Sequence, residues 1–284
     1  MSGCLCISRA GRGRKSDTVN PILLPAYNPG LMTGQGNNTY LLATPAGGAT
    51  LIDAGVGQGR HLVDIDERLS AGRARLEQVL VTHGHPDHAA GAPALATAHP
   101  NARFYKYSWP DADMTYPVQW RGVTDGDRLA VGSDSLIALH TPGHAPDHVV
   151  FWHEDSGTMF TGDLVVQGGT VMIHASRGGD LGQYLESLER IRALKPRRLL
   201  PAHGPVVTDP ERVLTAYLQH RRDREAQVLA ALAAGLDTVE SIAESIYDGL
   251  APALMPAARE TTRAHLEKLK KERRAFEEDA RWKA

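Results

Sequence analysis

The chain has 284 residues, room for a large core and an appended unit beyond one domain of about 100–150 residues. Its net charge of −2 gives no global attraction to nucleic acid or to an anionic membrane surface, so charge neither requires nor forbids an RNA partner. No apolar run approaches about 18 residues, which excludes a spanning helix, and the two cysteines, Cys4 and Cys6, stand too close together for a disulfide framework or a zinc knuckle.

Residues 1–17 contain Arg9, Arg12, Arg14 and Lys15 with no apolar block behind them. That argues against a secretory signal and predicts a flexible arm with free thiols in a reducing, cytoplasmic setting. From 18 to 208 short apolar runs alternate with helical patterns, and this stretch is expected to form an α/β catalytic domain. Residues 50–54 read as a strand closed by a turn at Asp53 and Gly55. Residues 76–82, with Val79, Leu80 and Val81 at their centre, read as a buried strand, and the alanine-rich stretch 88–98 as a helix. The clearest helix spans 181–194: Asp180 is a plausible N-cap with Gln183 three residues on, and Tyr184, Leu185, Leu188 and Ile191 share one stripe.

The strand at 76–82 runs directly into Thr82-His83-Gly84-His85-Pro86-Asp87-His88. Packing gives no reason to place three histidines and an aspartate within six positions. His83 and His85 can converge on one cation, while Asp87 and His88, beyond the turn set by Pro86, can face a second. Neutral imidazole with carboxylate suits zinc, with iron and manganese as competitors. Three later strings each follow a short apolar run: His144 in Thr-Pro-Gly-His, Asp163 in Thr-Gly-Asp, and His203 in Pro-Ala-His-Gly. Alone, each is an ordinary loop residue as readily as a ligand. Together they follow strand ends, expected at one edge of a sheet, where open α/β architectures place their sites.

This ordered set resembles the metallo-beta-lactamase superfamily over residues from about 20 to 208. The resemblance implies a four-layered αβ/βα sandwich and a dinuclear site. In it His83, His85 and His144 would hold the first metal, Asp87, His88 and His203 the second, and Asp163 would bridge the two. Asp53 with Gly55, and Asn38 with Tyr40, match scaffold positions. Two cations sharing a water make hydroxide available at neutral pH, and Asp87 is the expected catalytic residue that orients it. No Gly-x-Ser-x-Gly elbow suggests a serine nucleophile. The antibiotic-hydrolysing lactamases usually carry cysteine or serine at the bridging place, where this chain has Asp163. The full set resembles instead glyoxalase II thioesterases, lactonases and RNA-processing phosphodiesterases. Iron dioxygenases and flavodiiron proteins also share it, but this chain has no flavodoxin-like phosphate loop.

Other polar residues are more ambiguous. His174, after Val171, Met172 and Ile173, reads first as a packed, hydrogen-bonded histidine, with lining the substrate pocket or donating a proton to a leaving group as the alternatives. His148 and Asp147 are expected to orient the loop of His144. His61, His99, His140, His153, His220 and His265 read as structural or solvent-facing. The aromatics Trp109, Tyr116 and Trp120 could stack a base, wall off an acyl chain or pack.

At Asp209 and Pro210 the composition becomes wholly helical, and 209–284 is expected to form a separate helical domain. One helix runs to Gly235, a second starts at Thr238, and a third is expected over 255–276 with Leu266 and Leu269 inward. With the extended tail at Arg281, Trp282 and Lys283, this resembles the winged-helix module of endoribonucleases in the same superfamily. Arg273 stands where a glycine usually leads into the wing, so the wing is expected to be shortened or absent. The basic run of Lys268, Lys270, Lys271, Arg273 and Arg274 either contacts phosphates or forms a salt-bridged face, and the module binds nucleic acid, lids the cleft or forms a homodimer contact. The expected function is a dinuclear zinc hydrolase acting through a metal-bridging hydroxide. Single-stranded RNA is the first substrate expectation, and a small-molecule thioester, ester or lactone, or incidentally a beta-lactam, is the alternative.

Overall fold

A computed structural model of the chain describes residues 20–30 and 33–284; the expected arm, with Cys4 and Cys6, lies outside the described residues. The first half runs β1 (Ile22–Pro25), β2 (Asn38–Ala43), β3 (Gly48–Ile52), α1 (Gly59–Ala71), β4 (Arg75–Leu80), α2 (Pro86–Ala89), α3 (Ala92–Ala98), β5 (Arg103–Tyr107), α4 (Pro110–Asp113) and β6 (Trp120–Val123). There follow β7 (Arg128–Val131), β8 (Asp134–His140), β9 (Val149–His153), β10 (Thr158–Gly162), α5 (Leu181–Ala193) and β11 (Arg198–Pro201). The C-terminal part contains α6 (Pro210–Ala233), α7 (Val239–Ile246), α8 (Met255–Lys271), β12 (Phe276–Glu278) and β13 (Arg281–Lys283).

Strands β1 to β6 form one sheet in chain order, and β11-β10-β9-β8-β7 form a second. The inner strands are buried on both faces, and alternate side chains enter different cores, as a period of two requires. Leu51 and Val79 pack with Ile65 and Leu69 of α1, whereas their neighbours Ile52 and Leu80 pack between the sheets with Leu136, Phe151 and Phe160. Val150 and Met159 point the other way, onto Leu188 and Ile191 of α5 and Leu214 and Leu218 of α6. The result is helices, sheet, sheet, helices: the expected four layers.

Two local expectations are corrected. The candidate ligands follow β4 in one sheet and β8, β10 and β11 in the other, so the ends of two sheets meet at the site, not one sheet edge. The expected helix at 88–98 is broken into α2 and α3 at Gly91, where a Cβ would lie 2.1 Å from the Ala54 carbonyl oxygen. Only glycine allows that approach, and its N–H donates to the Gly55 carbonyl at 2.8 Å.

The helical tail also departs from expectation. The third helix ends at Lys271, short of Phe276, and the wing is present as the antiparallel hairpin β12–β13. Arg273 itself adopts the left-handed conformation (φ 60°) that glycine would provide, at a cost of about 1–2 kcal/mol. Asp279 and Ala280, at φ 51° and 58°, make the two-residue turn. The hairpin holds because Trp282 is buried, 2% exposed, among Val228, Ile242, Leu266 and Leu269. Trp282→Ala is expected to destabilise this module by about 3–5 kcal/mol, read as lost hydrogen-exchange protection in α7 and α8. The 24-residue α6 serves both cores: Leu214 and Leu218 pack under the second sheet and Val228 and Leu232 in the module. The basic run is largely ion-paired: Lys268 and Arg274 with Glu225, Lys270 with Glu277, and Lys271 with Asp180. No helix among the described residues is long and apolar enough to cross a membrane.

Candidate metal centre

The loop after β4 is fixed by hydrogen bonds at nearly every residue. Asp53 accepts from the Thr82 N–H at 2.7 Å with one oxygen and meets His88 Nδ1 at 2.9 Å with the other. A carboxylate on Nδ1 makes that nitrogen the donor and turns Nε2 toward the site. Between His83 and His85, the Gly84 N–H donates to Asp147 Oδ2 at 2.7 Å, and Asp147 is in turn held by Lys106 Nζ at 2.6 Å. Pro86 opens α2, placing Asp87 and His88 on its single turn. The other strand ends are braced similarly. His144 Nδ1 donates to the Met172 carbonyl at 3.0 Å, leaving Nε2 for the site. His148 accepts from the Asp163 N–H at 3.1 Å through Nε2 and donates to Thr141 Oγ1 at 2.9 Å through Nδ1, so it positions Asp163.

All seven residues named from the sequence converge as two groups, His83, His85 and His144 in one and Asp87, His88, Asp163 and His203 in the other, each with its donor atoms within 4.8 Å of one another. In the first, His85 Nδ1 lies 2.9 Å from His83 Nε2 and 3.0 Å from His144 Nε2. In the second, Asp163 Oδ1 is 3.4 Å from His88 Nε2 and 3.3 Å from His203 Nε2, and Asp87 Oδ2 is 3.5 and 3.4 Å from the same two nitrogens. The other Asp163 oxygen is 3.5 Å from His144 Nε2, so this carboxylate spans both groups.

Electrostatics divides the groups. Burial, reinforced by neighbouring imidazoles, pushes His85 down to about 3 and His83 well below its ordinary value, so the first trio is neutral. In the second group burial opposes charge but is outweighed. His88 and His203 hold the Asp87 and Asp163 carboxyls well below the usual range, while those carboxylates push His203 up to about 10 and His88 upward.

The residues fit a pair of cations. Bonds of 2.0–2.2 Å in a tetrahedron put donors about 3.3–3.6 Å apart, the spacing of the second group. Asp163 Oδ1 is buried there with no hydrogen-bond partner, as an oxygen awaiting a cation would be. The trio is slightly tighter and consists of the neutral imidazoles that zinc and iron take.

Two supporting residues escaped the sequence reading, and two more do work that it did not assign. Asn37, not Asn38, reaches the site: its Nδ2 donates to Asp87 Oδ2 at 3.1 Å. Asn38 donates to the carbonyls of Pro201 and Gly204 and so braces the His203 loop. Lys106 was legible in principle, because it shares strand parity with buried Phe104. Asp53, expected only as scaffold, directly orients His88. His174 makes no hydrogen bond or ion pair with any of the seven; with Trp109, Val165, Val171, Met172 and Arg177 it lines the cavity of about 460 Å³ onto which five of them open. Of the three loop aromatics, Trp109 faces this cavity, whereas Tyr116 and Trp120 pack into the core beside α1.

Residues 32–203, more than half of the chain, match the model of the metallo-beta-lactamase superfamily. The chain belongs to that superfamily. Residues 238–282 match the beta-lactamase associated winged helix domain, so the hairpin of β12 and β13 is its wing. The chain is 31% identical to the beta-lactamase-like protein 2 homolog of Drosophila melanogaster, over 90% of this chain and 89% of that one. It is 36% identical to the atrochrysone carboxyl ACP thioesterase of Aspergillus fumigatus, over 72% of this chain and 62% of that one. In fold it is similar to a metallo-beta-lactamase family protein of Thermus thermophilus, with a TM-score of 0.77, 21% identity and 93% and 98% of the two chains covered. As a superfamily member with a His and Asp site, the chain is a metal-dependent hydrolase.

Proposed function

We propose that the chain is a dinuclear hydrolase of small acyl thioesters or esters, with zinc the metal its donors suit best. In this reading His83, His85 and His144 hold one cation, Asp87, His88 and His203 the other, and Asp163 bridges them. Such a pair, when bound, supplies an activated water and polarises the carbonyl under attack. Asp87, kept anionic by His88 and His203 and held by Asn37, faces the cavity and takes the proton of the attacking water. The observation that carries the substrate class is the cavity wall: Val165, Val166, Val171, Met172 and Trp109 offer an acyl chain an apolar surface beside the site. The relative named as a thioesterase supports the same class.

Cleavage of single-stranded RNA is the second reading. Trp109 and Arg177 favour it, because an indole and a guanidinium on one wall can stack a base and meet a phosphate. The pairing of the basic run with Glu225, Glu277 and Asp180 weighs against it. Zinc-loaded protein offered a medium-chain thioester, single-stranded RNA and a chromogenic lactam is expected to prefer the thioester in kcat/KM and to lose turnover in His85→Ala. A higher kcat/KM on RNA would replace the first reading with the second, and RNA cleavage surviving His85→Ala would move the site elsewhere.

The backing of His88 gives a further expectation. Asp53→Asn, which keeps the shape but removes the charge behind Nδ1, should lower zinc affinity about 10–100-fold in competition with a chromogenic chelator. Unchanged affinity would show that Asp53 acts only on the backbone of Thr82.

A further inference from the structure

Besides the bonds of Tyr217 to the Val166 backbone and of Arg221 to the Val171 carbonyl, the C-terminal module touches the wall of the metal cavity through α8. Glu260, on α8, places Oε2 3.1 Å from His174 Nδ1 and accepts from the Ser176 N–H at the same distance. Ser176 Oγ lies 3.2 Å from that imidazole nitrogen. The backbone of His174 is also fixed, because its carbonyl accepts from the N–H groups of Arg177 at 2.9 Å and Gly179 at 3.0 Å. A Cβ at Gly179 would lie 2.8 Å from that carbonyl oxygen, so the tight return needs glycine. Lys271, on the same helix as Glu260, bonds Asp180 at 2.5 Å and adds a further tie between the module and the catalytic domain.

His174 stands between two spaces. With Met172 and Arg177 it lines both the metal cavity and a neighbouring cleft of about 500 Å³ bounded by Val239, Pro256 and Arg263 of the module. A carboxylate can only accept, so Glu260 holds Nδ1 as a donor, and the acid form is the imidazolium, paired with that carboxylate and carrying its second proton on Nε2.

We propose that His174 is the general acid for the leaving group and that Glu260 positions it, so that the winged-helix module completes the active site. This rests on the hydrolase reading above. The oxygen of water bonds to the acyl carbon and its proton passes to Asp87. The bond from acyl carbon to leaving atom breaks, the electron pair goes to the leaving atom, and the Nε2 proton of His174 passes to it. The leaving group departs as a neutral thiol or alcohol, and the acid formed releases the second proton of the water to solvent to become a carboxylate; Asp87 loses its proton to solvent and His174 regains one from it.

The test compares two esters with the same acyl group, one of p-nitrophenol and one of a simple alkyl alcohol, on the zinc-loaded full chain. Nitrophenolate leaves without a proton, whereas an alkoxide needs one. His174→Gln is expected to lower kcat on the alkyl ester about 10²-fold with KM unchanged, and on the nitrophenyl ester by no more than about threefold. The near-isosteric Glu260→Gln, which keeps a side chain of the same size on α8, should show the same selectivity with a loss of about tenfold. Equal losses on both esters, or no loss on the alkyl ester, would overturn the dyad while leaving the hydrolase reading intact. A wild-type protein inert on both esters would remove the acyl-ester reading and this role with it.

Discussion

Asp87→Asn lowers kcat by about 10²–10⁴-fold while zinc content at saturation stays near that of the wild type. The magnitude is that of a group handling a proton in the rate-limiting step. Asparagine keeps the shape and one oxygen for Asn37 Nδ2 but loses the negative charge that His88 and His203 stabilise. Both imidazoles hold the Asp87 carboxyl well below its usual range against the effect of burial, so the wild-type group is ionised throughout the physiological range. Its neighbour Asp163 is ionised too, but is more enclosed and lies between the two donor groups. The two aspartates are therefore expected to fail differently. Asp163→Asn should lose metal first, whereas Asp87→Asn should lose turnover at full metal occupancy. Metal content and kcat measured on the same preparations separate these outcomes. More than a tenth of wild-type kcat in metal-saturated Asp87→Asn would take the proton-handling role away from this residue.

The donor set was legible in the sequence because histidine and aspartate packed at that density serve no purpose in a core, and because each later donor follows a short apolar run. How those runs pair was not legible. Periodicity shows that residues 50–54 and 76–82 are strands, but the choice between one sheet and two depends on crossovers such as that from β6 to β7. Nor does periodicity reveal partners that act through a single polar atom. Asn37 looks like any turn residue before a strand, and its importance comes from Asn28, whose Nδ2 donates to the Asn37 side-chain carbonyl oxygen at 2.7 Å and so aims its amide at Asp87. That a wing is present at all, as a short hairpin, is not legible locally for a thermodynamic reason. Arg273 at positive φ is disfavoured locally, but burial of Trp282 outweighs that penalty, and a local rule cannot weigh a contact with residues as distant as Val228 and Ile242. The partner of His174 is not legible in the sequence, because Glu260 lies far along the chain on α8.

Saturating both sites of the chain with zinc raises its melting temperature by roughly 16–32 °C, and a strong chelator reverses the change. Free metal at about a thousandfold over Kd stabilises by about 4 kcal/mol per site, and a chain of this size gains about 2–4 °C per kcal/mol. The site has reason to respond so strongly. It brings two ionised carboxylates and five imidazoles together in a largely buried space, and Asp163 Oδ1 has no hydrogen-bond partner there. A divalent cation offsets the repulsion between Asp87 and Asp163 and engages the lone pairs of the neutral trio, two effects that the unfolded chain cannot obtain. Magnesium should do little, since it prefers an octahedron of oxygens and these donors are mostly nitrogen. Iron(II) and manganese(II) should stabilise, manganese less, following ligand preference. His144→Ala removes one nitrogen of the trio and leaves the second group whole, so it should keep about half of the zinc-induced shift if the two sites load independently. A melting temperature indifferent to all of these ions would mean that the geometry of the seven side chains, however close to a ligand shell, serves hydrogen bonding alone.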